Sequence, residues 1–271
     1  MITRSQLKNR YHYSYILLVQ LVKTDFKLRY QGSVLGYLWS LLRPLLIFCI
    51  LYLVFTVFLP VGKGVPHYPV YLLLGIVLWN YFTEVTSGAV SAIVGKGDLI
   101  RKINFPKYVI ILAGSFSALI NLGLNFIIIA IFMFIGKVPL SWNAILVLPL
   151  IIELFILSIA MAFLLSAVFV KFRDVSYIWE VIMQGAFYAT PILYPLSSIP
   201  QWAAKFLILN PMAQIIQDAR YVLVTPTSST IYSLFPNQKI IWLIPYLITL
   251  ILVFFSASYF RRRSRFFAEE V

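Results

Sequence analysis

YVIILAGSFSALINLGLNFIIIAIFMFIG, residues Tyr108–Gly136, contains no charged side chain. About 20 apolar residues let a helix cross the ~30 Å hydrocarbon core of a bilayer, whereas a helix on the surface of a soluble domain would keep one polar face. Read outward from this stretch, the chain holds five more runs of similar length. They cover residues 34–60, 70–94, 144–170, 175–194 and 240–260, and carry few charges, notably Arg43, Glu84, Glu153 and Glu180. With 108–135 they predict an all-α membrane protein of six transmembrane helices.

Composition agrees. Hydrophobic residues make up 61% of the 271 and charged residues 11%, against roughly 45–50% and 25% in soluble domains. The mean hydropathy is +0.91. The single cysteine, Cys49, excludes a disulfide framework, and His12 and His67 lie too far apart in sequence to suggest a metal site. The net charge of +13 does not point to nucleic acid, because the basic residues are spread over the ends of apolar runs. The polar, basic opening MITRSQLKNRYHYSY argues against a cleavable signal peptide.

Lysine and arginine set the orientation. Residues 1–43, the loop 95–107, the pair Lys171 and Arg173, and the tail 261–271 hold 17, whereas the alternate loops hold 5. Both termini are therefore expected in the cytoplasm. Within residues 1–33, Leu7, Tyr11, Tyr15, Leu18, Val22, Phe26 and Tyr30 recur every three or four positions among lysines and arginines. That spacing predicts a basic amphipathic helix on the cytoplasmic face of the membrane, equally readable as a juxtamembrane segment carrying the topology signal. Residues 195–239, punctuated by five prolines, are expected outside as short helices that re-enter or rest on the membrane. Two further spans there would place Lys205, Asp218 and Arg220 in lipid at roughly 2.5–3.5 kcal/mol each.

No Walker A sequence is present. The nearest stretch, GKGDLIRK at Gly95–Lys102, has the wrong spacing and lacks the hydroxyl residue that would hold magnesium. Nor does any carboxylate pair or Ser/His/Asp set suggest a catalytic centre, and no catalytic or metal-ligating residue is assigned. The polar residues within the spans instead form stripes. Asn80, Glu84, Ser87 and Ser91 share one helix face, as do Ser117, Asn121 and Asn125. Both stripes are readable as helix–helix hydrogen bonding or as the wall of a polar path. A third stripe, the four polar residues Tyr177, Glu180, Gln184 and Tyr188 followed by Pro191, joins phenols to a carboxylate and an amide and suits a carbohydrate-sized path. Tyr37, Trp39, Phe48, Tyr52 and Phe55 on the first span add aromatic faces that stack on sugar C–H groups, or simply pack.

The segment RYQGSVLGYLWSLLRPLL (Arg29–Leu46) resembles the start of the first span in type-2 ABC exporter permeases for polysaccharides and polyol phosphates, the O-antigen, capsule and teichoic-acid exporters. So does NYFTEVTSGAVSAIVGKGDLIRKINFPK (Asn80–Lys107), with FRD at Phe172–Asp174, TPILY at Thr190–Tyr194 and NP at Asn210–Pro211. The resemblance implies a homodimer in the bacterial cytoplasmic membrane, paired with two copies of a separate ATPase. That ATPase would use ATP and magnesium, while this chain would bind no cofactor. It implies that Lys96, Asp98, Leu99, Ile100, Arg101 and Lys102 form a coupling helix seated in the ATPase. It also implies that the first and fifth spans line a channel and that 195–239 forms an external gate. The substrate would be an undecaprenyl-type lipid-linked glycan, with Arg29 and Arg43 as candidates for its phosphates. Rival readings are a type-2 exporter of a small drug or lipid, a membrane glycosyltransferase or acyltransferase, and a proton-driven transporter using Glu84, Glu153 or Glu180.

Overall fold

The computed structural model describes residues 4–29, 32–59, 61–62, 64–102 and 105–270, without the side chains of 4–13, 26, 28, 29 and 268. Every element among them is helical. Five helices are long and apolar enough to cross a membrane: Gly36–Phe58, Tyr68–Val90, Tyr108–Ile135, Trp142–Lys171 and Ile244–Arg263. The helix in fifth position along the chain, Val175–Ala189, is shorter, because Thr190 turns to extended backbone and Pro191 follows. At 15 residues it reaches only about 22 Å.

The elements run α1 (Arg4–Arg29), α2 (Trp39–Leu53), α3 (Tyr68–Val90), α4 (Ala92–Gly95), α5 (Gly97–Lys102), α6 (Tyr108–Ile135), α7 (Val147–Lys171) and α8 (Val175–Ala189). After α8 come α9 (Gln201–Leu207), α10 (Pro211–Leu223), α11 (Ile231–Leu234), α12 (Lys239–Trp242), α13 (Ile244–Arg263) and α14 (Phe267–Glu270). A 3-10 turn precedes α2 at Gly36–Leu38, and a π turn extends it over Val54–Phe58.

Helix α3 stands at the centre. It packs against α2, α6, α7, α8 and α10, and 78% of its most apolar stretch is buried, against 11% for the span Gly36–Phe58 that contains α2. The core therefore forms around α3, while α2 and α8 lie at the edge with Leu46, Ile50, Val57, Ile178 and Val181 exposed. Helix α13 packs along α7.

Helix α1 lies against α6, with Leu17, Leu18 and Leu21 packed on the core and Lys23 and Lys27 exposed. The side chains of Leu7, Tyr11, Phe26 and Arg29, and residue Tyr30, lie outside the described residues. The carboxylate of Asp25 accepts from Lys96 at 3.0 Å, tying α1 to the segment between α4 and α5.

Local chemistry explains two departures from regular helix. Pro44 lies inside α2 and has no N–H, so the Ser40 carbonyl loses its helical donor. Asn125 of α6 supplies one instead, its Nδ2 lying 3.4 Å from that oxygen. At the other end of the molecule, Asn210 caps α10 by accepting from the Met212 N–H at 2.9 Å, and Pro211 occupies the first turn, where no donor is needed.

Candidate channel and gate

A groove of about 850 Å³ runs between α2 and α8, with α3 as its floor. Helix α2 contributes Arg43 and Ile47, α8 contributes Glu180, Gln184 and Tyr188, and α3 contributes Asn80 and Ser87. Three of the four residues in the polar stripe expected on the fifth span thus share one wall. Tyr177 does not line the groove and is largely exposed on the same helix.

A second cavity of about 700 Å³ adjoins it between α2, α3 and α6, sharing Arg43, Ile47, Asn80, Thr83 and Ser87 with the groove. Here the stripes of α3 and α6 meet. Asn121 Nδ2 donates to Glu84 Oε1 at 2.9 Å, and Asn125 Nδ2 donates to the Asn121 carbonyl at 2.8 Å. The helix–helix reading therefore holds for this pair. It does not account for every polar atom, because the Tyr81 hydroxyl, Thr83 Oγ1 and Asn121 Oδ1 are buried without a partner among the described residues. All three residues line the cavity.

The aromatic residues of the first span separate. Trp39 lines the inner cavity, and Tyr37 is exposed at the start of the span. Phe48 is 4% exposed and packs edge-on to Phe132 of α6 at 5.3 Å. Tyr52 stacks on Phe48 and continues to Tyr68, and Phe55 packs on the core. Phe48, Tyr52 and Phe55 thus bind α2 to its neighbours and line neither cavity.

At the segment expected to lie outside, α10 folds back on the bundle, while α9 packs with α11 and α12 in a separate apolar cluster. Helix α10 packs against α3, α7 and α13. Its Arg220 is fully buried with no carboxylate beside it among its hydrogen-bond partners. The guanidinium donates to the carbonyls of Tyr71 (3.0 Å), Pro191 (2.6 Å) and Ile192 (2.6 Å), and stacks 3.6 Å over the Tyr71 ring. It thereby supplies donors to two buried carbonyls of the non-helical segment that follows α8. Tyr68 adds a further tie, its hydroxyl donating to the Leu193 carbonyl at 2.9 Å. Gly75 leaves the room required, since a Cβ there would lie 2.5 Å from Arg220 Nη2. The sequence marked Arg220 as a charge too costly for lipid but gave no hint of these partners, which lie 28 to 149 residues away.

Beside this anchor, Gln214 donates to Asp218 at 2.6 Å and lies 3.4 Å from the Tyr246 hydroxyl. Burial pushes the Asp218 carboxyl up to about 6, against the pull of the Gln214 amide. Glu153 of α7 and Asp218 both line a groove of about 1110 Å³ bounded by α7, α10 and α13.

The expected coupling residues form one short helix, α5, with Lys96 just before it and α4 preceding both. Ile100 is buried, Leu99 packs on the core, Asp98, Arg101 and Lys102 are exposed, and Lys96 holds Asp25. Helix α5 also meets α14, whose Phe267 is fully buried against Phe260.

Comparison with known proteins adds a separate line of evidence. Residues 16–224 match the family described as ABC-2 type transporter. The O-antigen export system permease protein RfbA of Myxococcus xanthus is 33% identical over 203 residues, covering 74% of this chain and 77% of that one. A protein of the same name from Klebsiella pneumoniae is 33% identical over 223 residues, covering 79% and 83%. The polysialic acid transport protein KpsM of Escherichia coli is 23% identical over 207 residues, covering 72% and 76%.

Proposed function

We propose a function from one premise: the chain belongs to the ABC-2 type transporter family. It is the transmembrane subunit of an ATP-driven polysaccharide exporter, of the kind its O-antigen export relatives are named for. The observation that carries the finer reading is the groove between α2 and α8, whose floor and walls combine amide, carboxylate, hydroxyl and aromatic groups. Such a surface hydrogen-bonds sugar hydroxyls while its rings stack on sugar C–H faces. Its cargo is a lipid-linked glycan of the undecaprenyl type, and Arg43, which lines both cavities, meets the phosphates.

One chain walls only part of such a path. The exposed apolar faces of α2 and α8 are where a second copy closes it. Helix α8 is the fifth of six crossings, extended to the far surface by the non-helical residues 190–194. The lysine and arginine bias sets both termini and α4–α5 on the cytoplasmic side of a bacterial inner membrane. Two copies of a separate ATPase dock there, and ATP and magnesium belong to them. Helix α4 packs on α3, α6 and α7, so a push on α4–α5 is delivered to the groove floor. At the opposite end α9 and α10 form the gate, pinned by Arg220.

The test is export in cells that lack their own permease and are supplied with this chain and its ATPase. A variant carrying Glu180→Ala, Gln184→Ala and Tyr188→Ala should assemble with the ATPase yet deliver at least tenfold less polymer to the surface. Undiminished export from that variant would overturn the groove assignment. Transport by the purified chain alone, driven by a proton gradient, would overturn the ATP-driven reading.

A further inference from the structure

Away from both cavities, a pocket of about 530 Å³ opens between the start of α6 and the last turns of α13. Its rim carries Lys107, Arg261 and Arg265, and its floor is made by Phe105, Phe163 and Phe260. None of the three cations forms an ion pair with a described residue. Their neighbour Arg263 is different, because Glu270 holds it at 3.0 Å. Among the described residues the acidic contact at this helix end thus goes to Arg263, leaving the pocket rim at a charge of +3 with no acidic residue in its lining.

The pocket also has depth. Ala257, which lines it, precedes Arg261 by one helical turn, about 6 Å. Phe163 lies eight residues inside the end of α7 at Lys171, about 12 Å along its axis. An apolar floor one to two turns below a ring of cations has the layout of a phospholipid, with acyl carbons beneath and phosphate above. Charges that served only to orient the chain would need neither a shared pocket nor an aromatic floor.

We infer that this pocket is a binding site for a phospholipid of net negative headgroup, with Lys107, Arg261 and Arg265 around its phosphate and Phe163 and Phe260 against its acyl chains. The site is independent of the exported polymer and of the groove between α2 and α8. Juxtamembrane cations contribute about fivefold each to attraction for anionic lipid, so removing three should weaken binding about a hundredfold.

The full-length purified chain is titrated with phosphatidylglycerol or phosphatidylcholine in detergent, and bound lipid is counted by native mass spectrometry. Wild type should retain phosphatidylglycerol through delipidation in preference to phosphatidylcholine. The triple variant Lys107→Gln, Arg261→Gln, Arg265→Gln should lose that preference, whereas Lys171→Gln with Arg173→Gln should keep it. A third protein, Lys107→Arg, Arg261→Lys, Arg265→Lys, keeps the charges and should retain it, which separates lost charge from lost fold. Equal retention of the two lipids by wild type overturns the site. So does unchanged lipid retention by the triple glutamine variant together with lost ATPase binding, which would assign the cations to a protein interface.

Discussion

Replacing Arg220 with lysine should damage this protein at least as much as replacing it with methionine. The guanidinium fork reaches three carbonyls on two separate segments, and no other side chain has that span. Lysine keeps the buried charge but gathers its donors on one nitrogen, so some of the partners are abandoned while the desolvation cost remains. A buried ion short of partners costs about 3–5 kcal/mol. Methionine orphans the Pro191 and Ile192 carbonyls at about 1–3 kcal/mol each, but it also removes a charge whose burial is itself unfavourable. The Tyr71 carbonyl, inside α3, is less exposed to the loss because it retains its helical donor.

Gly75→Ala approaches the same anchor from the other side. Its Cβ would lie 2.5 Å from Nη2, so the fork must retreat by about 0.9 Å to reach ordinary 3.4 Å contact. Overpacking of this kind costs about 1–3 kcal/mol. The assay is the fraction of purified protein that stays monodisperse after heating in detergent. Cysteine labelling of residues 196–200 reports whether the segment after α8 has loosened. The expected order of stability is wild type, then Gly75→Ala, then Arg220→Met and Arg220→Lys, with labelling rising in the same order. If Arg220→Lys melted with wild type, the argument that three directed donors hold the end of α8 would be wrong.

Glu84→Gln keeps an acceptor for Asn121 and should change stability little, whereas Glu84→Ala orphans a buried amide and should cost about 1–3 kcal/mol in the same melting assay. Reversing Lys96 or Asp25 alone should lower substrate-stimulated ATP hydrolysis by the paired ATPase less than about fivefold. Such part-exposed pairs are worth under about 1 kcal/mol, and reversing both should restore the rate. Because burial raises Asp218 from 3.8 to about 6, its protonated form contributes stability that is present below pH 3.8 and lost as pH rises through 6. Asp218→Asn should therefore gain on wild type between pH 4 and 6.5, by at most about 3 kcal/mol, and parallel melting curves across that range would contradict this.

The sequence made the long crossings legible because bilayer thickness fixes their length and excludes charge. The end of α8 was less so. Residues 175–194 read as one apolar run, yet the helix stops at Ala189, and the backbone beyond it is held by a side chain from α10. Asn80, Glu84, Asn121 and Asn125 were legible as faces by their spacing, but which faces meet depends on packing. The aromatic face of the first span shows the same limit. Periodicity put Phe48, Tyr52 and Phe55 on one side, but turning that side towards Phe132 and Tyr68 is a property of the assembled bundle. The bond from Asn125 to the carbonyl that Pro44 leaves open joins residues 85 apart and leaves no trace in either local sequence.

The contrast between a buried α3 and a sparsely attached α2 has a kinetic consequence. Widening the groove by moving α2 strips few apolar contacts from water-free packing, while moving α3 would dismantle most of them. In the proposed transport cycle, substitutions at the aromatic contacts along α2 should alter how fast the protein cycles, whereas substitutions deep around α3 should alter how long it survives.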